Sequence, residues 1–468
     1  MIDLTIAQIA AAVDGTVPGH EGATVSGGVV TDSRRVGPGD LFVAVGGARV
    51  DGHDYLGAAA EAGAVAALVS REVPRAPLAQ IVVADTTRAL GDLAAAVLSR
   101  LRKNARPPVV VGVTGSVGKT STKDLLAAVL ETCGEVIAPV GSYNNEIGLP
   151  LTVLRATENT AALVLEMGAD APGNLTYLTS IAAPDIAVVL AVGRAHLDGF
   201  GDIGAVARAK AELVQNMRAD GVAVLNADDA RVAAMAPDAA GRRTVFFGTG
   251  GDAQVRAEQI GTDDQGRARF TLHLRGQAHP VQLTLYGLHQ VSNALAAAAV
   301  AYELGVGAEQ IATALGSASA RSPHRMHVQR SDAGVTIIDD AYNANPDSMR
   351  AALRSLSQMA AGSGGRAVAV LGPMRELGPD SAAEHEAVGA FAVQVGVDRL
   401  IAVAEEARPL ATGALAAGMD RREVQRASGV SEAVAMLRRY LRSGDVMLVK
   451  ASNGEQLWRV VEALERAR

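Results

Sequence analysis

Cysteine is almost absent: Cys133 alone among 468 residues leaves no partner for an internal disulfide, which fits a reducing compartment. As a lone thiol it is expected to be a small buried hydrophobe. Aromatic residues make up only 3% of the chain. No uncharged apolar run reaches the ~18 residues needed to cross a bilayer, so no membrane span is expected. Clusters of Lys and Arg are also missing, and with a net charge of −7 nucleic acid is excluded as the expected partner. The opening segment MIDLTIAQIAAAV carries Asp3 and no basic stretch, so it is expected to form an amphipathic helix rather than a signal peptide. The expected location is the cytoplasm, and the expected partners are small molecules.

What remains is a globular composition, 49% apolar and 20% charged, without repeats. At ~150 residues per domain the length suggests about three. From 27 to 85 the runs LFVAV, AVAALVS and IVVAD alternate with a helical stretch at 55–62, and a helix is expected over 88–101. VVVGV (109), ALVLEM (162), DIAVVLAV (185) and VAVLN (222) then alternate with helices, the pattern of a doubly wound parallel sheet. A polar, Gly-rich stretch over 247–276 contains strand-like pieces, and a helix follows over 293–304. Apolar strands recur at VTIID (335), AVAVLG (367), RLIAVA (399) and DVMLVK (445). The expectation is α/β throughout: a small N-terminal unit (1–85), a central phosphate-loop sheet (86–318) and a Rossmann-like C-terminal unit (319–468).

The segment VVVGVTGSVGKTSTKDLL (109–126) runs from a buried strand through a Gly-rich turn into a helix. Gly112, Gly115 and Gly118 let backbone amides approach phosphate oxygens, with Thr114 and Ser116 between them. The helix start adds partial positive charge, Lys119 reaches the β- and γ-phosphates, and Thr120 or Ser121 offers a hydroxyl to Mg²⁺. The spacing departs from the common phosphate loop, because Val113 stands five residues before Gly118, which argues against an ordinary kinase.

Glu166 and His196 stand just past apolar strands, where a parallel sheet opens the same crevice, and together they could serve Mg²⁺. A solvated rim carboxylate and a hydrogen-bonded histidine are the structural alternatives. Val206, Lys210, Leu213 and Met217 share one helical face, so Lys210 either snorkels at a core edge or is held in the site, open to covalent modification. DDAYNANPDSM (339–349) puts Asp340, Asn343 and Asn345 on a strand-to-helix loop suited to a sugar, a phosphate or an amine, unless these residues only cap. Arg325, in SPHRM, could bring a guanidinium to the γ-phosphate.

These motifs resemble the Mur ligase family along the whole chain. GVTGSVGKTSTKD resembles its ATP loop; EMG at 166, AH at 195 and ARAKAE at 207 resemble its metal and lysine positions; and GLHQVSNALAAAA resembles its adenine segment, with Gln290 where the family carries Asn. DDAYNANPDSM, NNEIGLP (144) and GPMRELG (372) resemble the branch that adds D-alanyl-D-alanine. The resemblance implies a carboxylate of UDP-N-acetylmuramoyl tripeptide phosphorylated by ATP to an acyl phosphate, then attacked by the amine of D-alanyl-D-alanine. It further implies two Mg²⁺ ions, one on Thr120 and Glu166, the other on His196 and a carbamylated Lys210. Asn293 would read adenine and Asp340 ribose. Ser33 and Arg34 of TDSRR and Asp51 and His53 of DGHDY would meet the UDP-sugar, and Asn144, Asn145, Asn343 and Asn345 other parts of the substrates. A monomer is expected. Another Mur-type ligase, or a nucleotide-binding protein without catalysis, stays open at this point.

Overall fold

A computed structural model describes residues 1–18, 22–47, 50–194 and 197–465. At the N-terminus the expected helix starts late. Leu4–Thr5 pairs antiparallel with Thr24–Val25, and helix Ile6–Ala12 begins only where Thr5 and Gln8 close a reciprocal capping box. Strands Val29–Val30, Leu41–Val43, Ala66–Val69 and Ala79–Val82 form a four-stranded parallel sheet in that order. Helix Thr86–Leu101 starts two residues ahead of the expected 88, because Asp85 accepts from the amides of Thr87 and Arg88.

The central sheet has nine strands. Six neighbours run parallel, from Glu135–Ile137 at one edge through Thr160–Glu166, Val109–Thr114, Ile186–Val189, Val222–Asn226 and Arg243–Gly248. Beyond them Val255–Thr262 joins a short parallel pairing, and Arg267–Leu274 and Gln277–Tyr286 complete an antiparallel ladder. The Gly-rich stretch expected to contain strand-like pieces is thus a substantial extension of the sheet. Its period-two pattern explains why: Ala268, Phe270, Leu272 and Leu274 turn to the core while the residues between them face outward. Across this sheet the Ala-rich helix His289–Glu303 packs beside Lys119–Leu130, its small side chains permitting close approach.

The C-terminal sheet orders His327–Arg330, Thr336–Asp339, Val446–Lys450, Ala367–Leu371, Arg399–Val403 and Val424–Ala427, all parallel except the first pair. Its carboxyl edge, where Asp339 lies opposite Val449 and Leu371 opposite Lys450, faces the phosphate loop. Cys133, expected to be buried, is exposed in a short 3-10 turn just after helix Lys119–Leu130. Among the described residues no helix is long and apolar enough to cross a membrane.

Candidate active site

The strand Val109–Thr114 delivers the loop between its two parallel neighbours, and the register sets Val113 opposite Glu166. Gly118, at φ +87°, caps helix Lys119–Leu130 without any side-chain acceptor, so the first-turn amides are left for a ligand. A Cβ at Gly118 would lie 2.4 Å from Asn293 Oδ1, which is why the backbone needs glycine there. Gly115 is equally confined, at φ +156° with Leu190 Cβ 2.9 Å from where its own Cβ would be. Ser116 pins the turn: its amide donates to Ala191 O (2.9 Å), and its hydroxyl exchanges hydrogen bonds with Gly193. Thr114 Oγ1 is buried with no partner. Lys119 Nζ donates to Gly115 O at 2.8 Å, folding the ammonium over the loop; burial lowers its pKa, and nearby Glu166 opposes that.

Glu166 is not a solvated rim residue. It is 1% exposed and accepts from Thr120 Oγ1 (2.9 Å), Ser142 Oγ (2.6 Å) and Asn144 Nδ2 (3.1 Å). Three neutral donors thus hold a carboxylate at the phosphate end of the loop, a donor set suited to Mg²⁺ with phosphate oxygens. Among the described residues no group of three or more His, Cys, Asp or Glu side chains forms a metal cage. Lys210 does not snorkel: it is 3% exposed, in the same buried face as Val206 and Leu213, while Met217, expected on that face, is buried just past the helix end at Gln215. Burial, with the Lys119 charge adding to it, lowers its pKa to about 7. His196 lies outside the described residues.

The C-terminal unit closes the site. Ser116, Lys119, Thr120, Ser121, Glu166, Arg325 and Asn345 line one cavity of about 290 Å³. The Arg325 guanidinium lies over the Tyr342 ring, 4.2 Å from its centroid, and its Nε is buried without a partner. Asn345 does cap helix Pro346–Ser363, Oδ1 accepting from Ser348 N (2.9 Å), but its Nδ2 also donates to Ser116 O (3.3 Å), tying that helix to the phosphate loop. Asp340 Oδ2 pairs at 2.5 Å with Lys450 Nζ, which also donates to Asn343 O (2.9 Å). Burial lowers the Lys450 pKa and Asp340 opposes the shift. Asn293 accepts from Thr122 Oγ1 (3.2 Å) and donates to Gln290 Oε1 (2.9 Å). A smaller cavity of about 160 Å³ adjoins, lined by Asn343, Asn345, Arg375, Glu376, Ser452 and Asn453.

Ser142, Tyr342, Lys450 and Asn453 were not legible as site residues. Only Lys450 left a trace, a cation ending the apolar strand VMLVK.

On the N-terminal side, Ser33 and Arg34 line a separate cavity of about 470 Å³ with Phe42 and Tyr55. Arg34 is exposed and paired with Asp32 (2.7 Å). Asp51 and His53 instead anchor the adjoining turn: His53 is buried, its Nε2 accepts from Ser70 N (2.9 Å), and its Nδ1 therefore carries the proton toward Asp51 (2.6 Å). Hydrogen bonds from His53 and Arg71 hold the Asp51 carboxyl well below the usual range. Arg35 reaches Tyr143 Oη at 3.4 Å, next to Asn144 and Asn145, so the two regions meet. Asn145 Oδ1 accepts from Gly148 N (2.9 Å), and both asparagines line a cavity of about 120 Å³ beside Lys119.

Three family descriptions match this chain: Mur ligase family, catalytic domain, over 26–97; Mur ligase middle domain, over 113–301; and Mur ligase, glutamate ligase domain, over 324–453. A protein of Mycobacterium tuberculosis (strain CDC 1551 / Oshkosh), named UDP-N-acetylmuramoyl-tripeptide--D-alanyl-D-alanine ligase, is 46% identical over 99% of this chain and 98% of its own. Its Escherichia coli (strain K12) namesake is 34% identical over 99% of each. A crystal structure of MurF from Acinetobacter baumannii matches with TM-score 0.87 at 31% identity, covering 99% of both chains. The MurF ligase of Thermotoga maritima in complex with ADP matches with TM-score 0.80 at 30% identity, covering 94% of this chain and 98% of that one. With family regions matched along its length and relatives this similar over nearly all of it, the chain belongs to the Mur ligase family.

Proposed function

We propose that the chain is an ATP-dependent amide ligase that joins D-alanyl-D-alanine to UDP-N-acetylmuramoyl tripeptide in the cytoplasm, in peptidoglycan precursor synthesis, and acts as a monomer. One arrangement carries this reading: a phosphate loop and a buried Glu166 on one side of a cavity, and Arg325 with the 343–345 loop on the other. A carboxylate is a poor acyl donor, and phosphorylation supplies the leaving group it lacks.

The loop amides from 115 to 121, with Lys119, bind the triphosphate, while Arg325 offsets charge developing at the γ-phosphate. Asn293 and Asp340 take the adenosine, each sharing hydrogen bonds it already makes. Ser33 and Arg34 hold the sugar nucleotide in the N-terminal cavity, whose turn Asp51 and His53 shape. Asn144 and Asn145 border the path between that cavity and Lys119. Asn343 and Asn345 present the incoming amine, whose attack expels phosphate.

Thr120 and Glu166 would hold one Mg²⁺, and His196 and a carbamylated Lys210 a second. The ions supply neutralisation of phosphate charge. An ¹⁸O label in the terminal carboxylate of the tripeptide is expected in the released phosphate. Phosphate without label contradicts the acyl-phosphate route.

A further inference from the structure

Arg325 stands between two non-glycine residues in left-handed backbone, His324 at φ +57° and Met326 at φ +51°. Such conformations are uncommon for side chains of this size and persist where neighbours enforce them. Here two successive carboxylates do so. His324 Nδ1 pairs with Asp339 Oδ2 at 2.6 Å, and Met326 N donates to Asp340 Oδ1 at 3.1 Å. Asp339 is 4% exposed, and its other oxygen accepts from Ala341 N (3.2 Å). The face of the His324 ring is covered by Trp458, 5.0 Å away at 20°, and Trp458 is the only tryptophan of the chain. The circuit closes on the backbone, where Tyr342 N donates to His324 O (3.2 Å) and the Tyr342 ring lies under the Arg325 guanidinium. Asp339, His324 and Trp458 are not among the residues lining the 290 Å³ cavity, whereas Arg325 and Tyr342 are.

We propose that Asp339 is a positioning residue that acts through His324, clasped against Trp458, to aim the Arg325 guanidinium at the transferring phosphate. The inference rests on the role given to Arg325 above. Removing the carboxylate frees the ring, lets the strained backbone at 324 relax, and takes the guanidinium off its axis without removing it. A misplacement of that kind costs up to about 10²-fold in rate.

The test is a double-mutant cycle in kcat with D339A and R325A, with thermal midpoints measured for every variant. D339A is expected to lower kcat by about 10- to 100-fold. D339N, which keeps an oxygen to accept the Nδ1 proton, is expected to recover most of that loss. In the R325A background, D339A is expected to add no more than about twofold, because the group it acts through is gone. Losses that multiply across the cycle overturn the inference and leave the Arg325 role standing. An R325A enzyme with unchanged kcat overturns both. If D339A is not recovered folded, His324→Ala takes its place in the cycle with the same two outcomes.

Discussion

Lys210 is where a single residue says most about the chemistry. Its helix, Ile203–Gln215, turns it inward among apolar side chains, and burial together with the Lys119 charge brings its pKa to about 7. The unfolded chain therefore holds this proton between about 7 and 10.5 while the folded chain does not. The penalty for burying the cation is complete below pH 7 and is relieved as pH rises toward 10.5, so this group adds stability with rising pH across that window. Near pH 8 the amine is largely neutral and can attack CO₂, forming an N–C bond and releasing a proton. The carbamate so formed would carry a negative charge that attracts the Lys119 ammonium. With ¹³C-bicarbonate at pH 8, a carbamate resonance is expected in the native protein and not in Lys210→Met, fading as pH falls below 7. A fully active protein without the resonance contradicts the assignment.

At the scale of elements, the decisive unit is strand, turn and helix over 109–130. Gly118→Ala would place a methyl group 2.4 Å from Asn293 Oδ1 in left-handed backbone. It is expected to cost roughly 1–3 kcal/mol from the backbone strain alone and to weaken ATP binding at least tenfold, measured by denaturant unfolding and calorimetry. Unchanged affinity would mean that phosphate does not rest on this turn. The same unit was the most legible part of the sequence, because its glycines, Lys119 and Thr120 are local and tied to one geometry. Glu166 and Lys210 could be placed only on a strand end and a helix face; what each would touch depended on partners far along the chain. The ladder 255–286 was legible as strand-like pieces but not as an extension of the central sheet, because which strands pair, and in what register, depends on partners outside the local pattern. Asn345 was legible both as a cap and as a site residue, and it serves as a cap that touches Ser116.

Across the whole molecule, the segment joining the central and C-terminal sheets is clamped to the phosphate-loop helix. Asp124 accepts from the amides of Arg321 (3.2 Å) and Ser322 (2.9 Å), and Arg321 grips Glu131 through two contacts of 2.6 Å. Beneath it Lys123, fully buried, pairs with Asp124 (2.5 Å) and donates to Pro139 O. Arg321 and Ser322 lie almost two hundred residues along the chain from Asp124 and Glu131, so no reading of local pattern could find these contacts. Asp124→Ala strands Lys123 without its anion and is expected to destabilise by about 3–5 kcal/mol. Ser322→Ala is expected to cost about 1 kcal/mol. Equal small losses in urea unfolding would contradict the clamp.

The central claim is the identity of the two partners joined, and one assay addresses it. Phosphate release from ATP with UDP-N-acetylmuramoyl tripeptide is measured with D-alanyl-D-alanine, D-alanine, L-amino acids or glutamate as acceptor. Release that depends on the dipeptide is the predicted result; release with a different amine, or with none of them, would contradict it.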